Sequence, residues 1–125
     1  MEPAVVLRLK QRQEFLRVAA ARHKWAVPGL VLQARRHDSA GESNEGRFRI
    51  GFTVSRKVGG AVQRNRARRR LKAAAAAVMP RHARDGHDFV LIGRRATLKR
   101  AFPALIEDLE AALRKLDAYD EKGDT

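Results

Sequence analysis

An α/β sandwich is the fold class this sequence predicts, and three observations lead to it. In "RFRIGFTVS", Phe48, Ile50, Phe52 and Val54 alternate with Arg47, Arg49, Gly51, Thr53 and Ser55, the two-residue period of a strand with one face in a core. In "HDFVLIGRR", Phe89 to Ile92 form an unbroken apolar run, the pattern of a central strand covered on both faces. Stretches with helical spacing lie before, between and after these two. A sheet with helices packed on its faces accommodates all three.

Taken in order, "LKQRQEFLRVAAAR" (9–22) places Phe15, Val18, Ala19 and Arg22 at helical spacing and predicts a short amphipathic helix with a thin apolar stripe. Pro28 and Gly29 end that pattern, and "LVLQARR" from Leu30 reads as a strand. "HDSAGESNEG", His37 to Gly46, is a polar loop, expected to join antiparallel neighbours. After the alternating strand, Gly59 and Gly60 lead into a helix from Ala61 to Met79, stopped by Pro80. On it Ala67, Leu71, Ala74, Ala75 and Val78 share a core face. Asn65, Arg66, Arg69 and Arg70 point the other way, with Arg64, Arg68 and Lys72 as a flanking stripe. A final helix from Pro103 to Ala118 carries Ile106, Leu109, Leu113 and Leu116 as its stripe; Pro103 suits a first turn, and neither Ala101 nor Phe102 supplies a capping oxygen. The whole chain, 1–125, reads as one domain with frayed ends at 1–8 and 119–125.

The charge is more specific than the length. Twenty-seven Lys and Arg against fourteen Asp and Glu give a net charge of +13, self-repulsion that is best tolerated when a polyanion is the working partner. From Gly46 to Arg84 there are twelve basic residues and no acid, whereas Glu107 to Thr125 hold seven acids and three bases. One part of the chain faces a polyanion and another faces water. A basic membrane-surface helix would carry bulky apolar residues opposite its charge, and here that side is mostly alanine. The absence of cysteine excludes disulfides and thiolate chemistry, no apolar run approaches membrane-spanning length, and the start "MEPAVVLRLK" is a poor signal peptide. These features describe a soluble, cytoplasmic nucleic-acid-binding protein.

Side-chain catalysis finds little support. His23, His37, His82 and His87 lie at no spacing that puts two on one helical face, and Asp85 with Asp88 makes no persuasive acid/base pair. Glu107, Asp108 and Glu110 read as solubilising acids of the last helix, and Gly59-Gly60 lacks the order of a phosphate loop. Arginine outnumbers lysine over 64–72, and guanidinium groups grip phosphate bidentately and stack on bases, which suits structured RNA. Asn65, among arginines, can orient its neighbours, reach a base edge or 2′-hydroxyl, or act as a local cap near the helix start.

"GFTVSRKVGGAVQRNRARRRLKAA", Gly51 to Ala74, closely resembles the signature of the bacterial ribonuclease P protein subunit: strand, glycine, "AV", "RNR" and the following basic positions are in register. Weaker likeness extends to "EFLRV", to "DFVLIGR" and to the final helix. The resemblance implies a fold like domain 2 of ribosomal protein S5, in the order α-β-β-β-α-β-α with a left-handed βαβ crossover. It implies an accessory subunit that binds the catalytic ribonuclease P RNA and precursor tRNA and supports removal of the tRNA 5′ leader. The catalytic centre is then the RNA's, with Mg2+ bound mainly by the RNA. No membrane contact or obligate protein partner is inferred, and the sequence does not place a protein-bound metal. Carried onto this chain, Arg56, Lys57, Arg64, Asn65, Arg66, Arg68, Arg69 and Lys72 are the expected RNA-binding residues, and Phe15, Gln33 and Thr53 line a cleft for the leader. Ala19 stands where many relatives carry a second phenylalanine and Gln33 where some carry tyrosine. Charge and alanine-rich packing alone would also fit a structural RNA-binding protein such as a ribosomal component; a DNA-binding module lacks a recognisable helix-turn-helix.

Overall fold

The computed structural model describes residues 7–37 and 47–121. Strands β1 (Leu7–Arg8), β2 (Lys24–Val27), β3 (Leu30–Arg36), β4 (Arg49–Thr53) and β5 (His87–Gly93) form one mixed sheet in the spatial order β1-β4-β5-β3-β2. With helices α1 (Arg12–Ala20), α2 (Ala61–His82) and α3 (Phe102–Lys115), the element order α-β-β-β-α-β-α is present, with the two-residue β1 added ahead of it.

β5 is central, where its apolar run belongs. Phe89 and Leu91 enter a core shared with α2 and α3, while Val90 is buried on the other face with Leu9 and Val18 of the α1 side. β5 runs parallel to β4, with Ile50 opposite Phe89, and antiparallel to β3, with Leu32 opposite Leu91. The expected hairpin-like role of the 37–46 loop is therefore corrected. β3 and β4 do run antiparallel, but β5 separates them, because the strand that is apolar on both faces takes the position with most cover. Residues 38–46 of that loop lie outside the described residues.

Helix α1 starts at Arg12, three residues later than the periodicity suggested, because the Lys10 and Gln11 N–H groups donate to Glu14 Oε1, both at 2.8 Å, and fix the entry turn. Its sheet-facing side is Glu14, Phe15 and Val18; Ala19 is exposed and Arg22 lies beyond the helix, so neither belongs to the stripe.

Helix α2 does not stop at Met79. It continues through Pro80 to His82, since the carbonyl left without a donor by Pro80 is that of the exposed Ala76, and water can satisfy it. Ala67, Leu71, Ala74, Ala75 and Val78 are all buried, as the helical spacing predicts. A 3-10 turn, Arg95–Leu98, links β5 to α3. Helix α3 has no side-chain cap, in keeping with Ala101. Asp108, expected among solubilising acids, is instead buried. It accepts from Gly29 N at 2.9 Å and is gripped by Arg100, Nε to Oδ2 at 2.9 Å and Nη2 to Oδ1 at 3.0 Å.

At the ends of the described chain, Leu7 and Arg8 pair with β4, and Tyr119 bridges to Ala83 while its ring stacks on His82 at 4.6 Å.

Candidate nucleic-acid interface

The alanine face of α2 sits against the sheet, so the basic residues of its N-terminal half are turned outward. Asn65, Arg66 and Arg69 are exposed, and Arg64, Arg68 and Lys72 are half-buried along the helix flank. Asn65, Arg68, Arg69 and Lys72 converge with Val62 on a groove of about 510 Å³. Asn65 Oδ1 accepts from Arg68 Nη1 at 3.2 Å, so the amide orients its neighbour one turn on; it does not cap the helix, whose first residue follows Gly60. Arg64 Nε is buried with no hydrogen-bond partner among the described residues. Arg70, read from spacing as one more outward cation, is committed elsewhere. Its Nε donates to Thr97 O at 2.8 Å and its Nη2 to Arg100 O, stapling α2 to the 3-10 turn.

Arg56 and Lys57 are exposed on a single turn, Arg56–Val58, ahead of α2. Ser55 Oγ accepts from Lys57 N at 3.3 Å, and Arg95 Nε donates to Lys57 O at 2.8 Å, which ties the turn to the end of β5. Gly59 closes it at φ 151°, where a Cβ would also meet Gln63 Cβ at 2.9 Å; only glycine lets the chain turn into α2 here. Arg95 was invisible to sequence reasoning because its partner is a backbone carbonyl 38 residues away.

Phe15, Gln33 and Thr53 all lie on the α1 side of the sheet, the face opposite α2. Strand register puts Gly51, Val90 and Gln33 in one row and Thr53, Ile92 and Val31 in the next. Phe15 lies over Gly51, where a Cβ would come within 2.6 Å of Phe15 Cζ, and the row of Thr53, Ile92 and Val31 is half-buried beside it. The three residues therefore share one face, and the absent side chain at Gly51 lets the Phe15 ring approach the sheet.

At the end of that face, Arg49 joins two helix and sheet acids. Its Nε and Nη2 donate to Asp88 at 2.8 and 2.6 Å, and its Nη1 to Glu14 Oε2 at 2.6 Å. His37 Nε2 lies 2.8 Å from Asp88 Oδ1. Burial alone would push the Asp88 carboxyl up, but the Arg49 and His37 hydrogen bonds outweigh it and hold it below the ordinary carboxylate range. Glu14 is lowered likewise: burial works upward, and the Gln11 and Lys10 N–H groups with the Arg49 cation overcome it. The other histidines also have structural neighbours: His23 lies 2.9 Å from Leu116 O, His82 stacks on Tyr119, and His87 stacks on Phe89. Among the described residues no three His, Asp or Glu side chains are grouped to hold a metal ion, and the Glu14–Asp88 pair is already taken up by Arg49. A magnesium ion finds no fitting donor set there.

Three comparisons bear on this geometry. The family described as Ribonuclease P matches residues 5–117. The ribonuclease P protein component of Paramagnetospirillum magneticum is 55% identical over 114 residues, covering 91% of this chain and 85% of that protein. That of Caulobacter vibrioides is 40% identical over 118 residues, covering 94% and 76%. Among solved structures, the RNase P protein of Thermotoga maritima superposes with a TM-score of 0.67 at 26% identity, covering 87% of this chain and 94% of that one. The RNase P protein of Staphylococcus aureus, at 23% identity, shares the fold with a TM-score of 0.71 over 93% of this chain and all of that one. With the signature running from the end of β4 into the outward arginines of α2, and a match spanning nearly every described element, the chain belongs to the Ribonuclease P family.

Proposed function

We propose that this protein is the cytoplasmic protein subunit of ribonuclease P. It grips the catalytic RNA with the basic face of α2 and the Arg56–Lys57 turn, and it holds the 5′ leader of precursor tRNA along the Phe15–Gln33–Thr53 face. The bond-breaking centre, with its Mg2+, belongs to the RNA. The protein binds substrate, positions the leader and screens phosphate repulsion. The observation that carries the reading is the acid-free basic surface: Asn65, Arg66 and Arg69 stand in solvent, no Asp or Glu occurs from Gly46 to Arg84, and the groove beside them is lined by cations, one amide and Val62. Such a face attracts phosphate without competing internal ion pairs.

On the opposite face, Phe15 offers a ring for stacking and Thr53 and Gln33 offer hydrogen bonds. Exposed Ala19 contributes no second ring, so the leader is held by one aromatic contact and polar groups. Nothing in the molecule favours a ribosomal role.

The test is cleavage of a precursor tRNA carrying a 5′ leader by a bacterial ribonuclease P RNA at low magnesium, with and without this protein. Stimulation that yields the correct mature 5′ end is expected. Tight RNA binding with no stimulation by a correctly folded RNA would refute the subunit role and bring the ribosomal alternative forward.

A further inference from the structure

The first turn of α2 faces the start of α3 across a cavity of about 590 Å³, one wall of which, Leu98 to Phe102, lies beyond the Gly51 to Ala74 signature. Its apolar wall is Val62, Leu98 and Phe102. Val62 is 77% exposed and Phe102 37%, so both present apolar surface to solvent beside the cations. Its polar wall is four cations, Arg66, Arg70, Lys99 and Arg100, and the Gln63 amide, with no acid in the lining. Arg70 and Arg100 are committed to the fold through Thr97 O, Arg100 O and Asp108, which fixes the walls relative to each other. Arg66 and Lys99 are exposed and have no ion-pair partner among the described residues.

A rigid pocket with an aromatic face, an aliphatic face and two free cations at its mouth has the chemistry of a nucleotide site. The base is sandwiched by apolar surface and the phosphate is held by Arg66 and Lys99. We infer that this pocket takes one unpaired nucleotide of the RNA partner, its base stacked on Phe102 against Val62. The inference rests on the reading of the chain as a ribonuclease P subunit. It assigns the nucleotide to the catalytic RNA because the pocket shares Arg66 with the basic face of α2 and lies on the α2–α3 side of the sheet. Phe15, Gln33 and Thr53 lie across the sheet from it.

The test measures affinity for Paramagnetospirillum magneticum ribonuclease P RNA as a function of KCl, together with base and backbone footprints of the complex. It compares the full chain with Phe102→Ala, Phe102→Leu and Lys99→Gln. Both Phe102 variants should bind on the order of 10-fold more weakly with an unchanged salt slope, since stacking is lost and no cation is. One RNA nucleotide protected by the unsubstituted protein should become reactive. Lys99→Gln should make the slope shallower by about 1. Phe102→Leu binding as tightly as the unsubstituted chain, or no nucleotide gaining reactivity, overturns the pocket. If either Phe102 variant melts lower, Lys99→Gln decides alone, and an unchanged slope overturns it. A shallow slope for the unsubstituted protein itself is a different result, since it removes the α2 interface and with it the subunit reading.

Discussion

Arg49 shows how little of a residue's role is visible in its neighbours along the chain. The alternation of β4 places it correctly on the polar face, yet its guanidinium is shared between Asp88, 39 residues on, and Glu14, 35 residues back. Asp88→Ala leaves that cation without its bidentate partner in a mostly buried site and should cost roughly 3–5 kcal/mol, read by chemical denaturation. The same network sets an acid dependence. Asp88 and Glu14 titrate lower in the fold than in the unfolded chain, so their contribution is full above the ordinary carboxylate range near 4 and is lost as pH falls through the lowered folded values. His87 acts earlier. Burial depresses it, with Arg36 and Arg84 adding to the effect, so its neutral form stabilises the fold above about 6.5 and that support fades as the pH drops below. Denaturation midpoints from pH 7.5 to 3 should thus fall in two stages, and a flat profile down to pH 4 would exclude the His87 stage. Gly51→Ala should lift Phe15 from the sheet, costing about 1–3 kcal/mol and weakening leader binding.

Helix α2 is the element most legible in the sequence, because its period separates five core positions from the arginines and all five are buried; Met79, buried as well, is the one core residue the stripe left out. Two things escaped the periodicity. Pro80 marks a terminus only if the carbonyl it strands would be buried, and exposure cannot be judged from one strand of letters. Arg70 sits at the same angle as outward arginines, but its partners are carbonyls of a turn 27 and 30 residues away. The two kinds of arginine should separate experimentally. Arg66→Ala and Arg69→Ala are expected to weaken RNA assembly while melting as the parent does, and Arg70→Ala to lower the melting temperature. Equal melting for all three would show that Arg70 is no staple. Leu71→Ala, at the centre of the core face, should cost about 2–5 kcal/mol through the cavity it leaves. Strands β1 and β2 were not read from the residues at all. "LR" is too short to show a period, and Lys24 to Val27 is exposed except at Val27, so no apolar alternation marks it.

For the molecule as a whole, the basic residues of α2 and the row of Phe15, Gln33 and Thr53 are distributed over opposite sides of one sheet. The sequence conveyed the central place of β5, since only that strand is apolar on both faces, but strand order depends on which edges find partners and so on all elements at once. If the basic surface meets six to eight phosphates, log affinity for the catalytic RNA should fall against log salt with a slope of about −4 to −7. A slope shallower than about −2 would mean that this surface is not where RNA binds.

The position of β5 also bears on how the protein is made. A ribosome delivers β3 and β4 well before His87 to Gly93, the strand that must lie between them, so the growing chain holds an open slot in its sheet until those residues have been synthesised. Until then two unpaired strand edges await a partner, and any extended segment, from this chain or a foreign one, could occupy the gap. The protein therefore acquires its architecture late and all at once, and a message cut short before His87 would yield a chain with its sheet open down the middle.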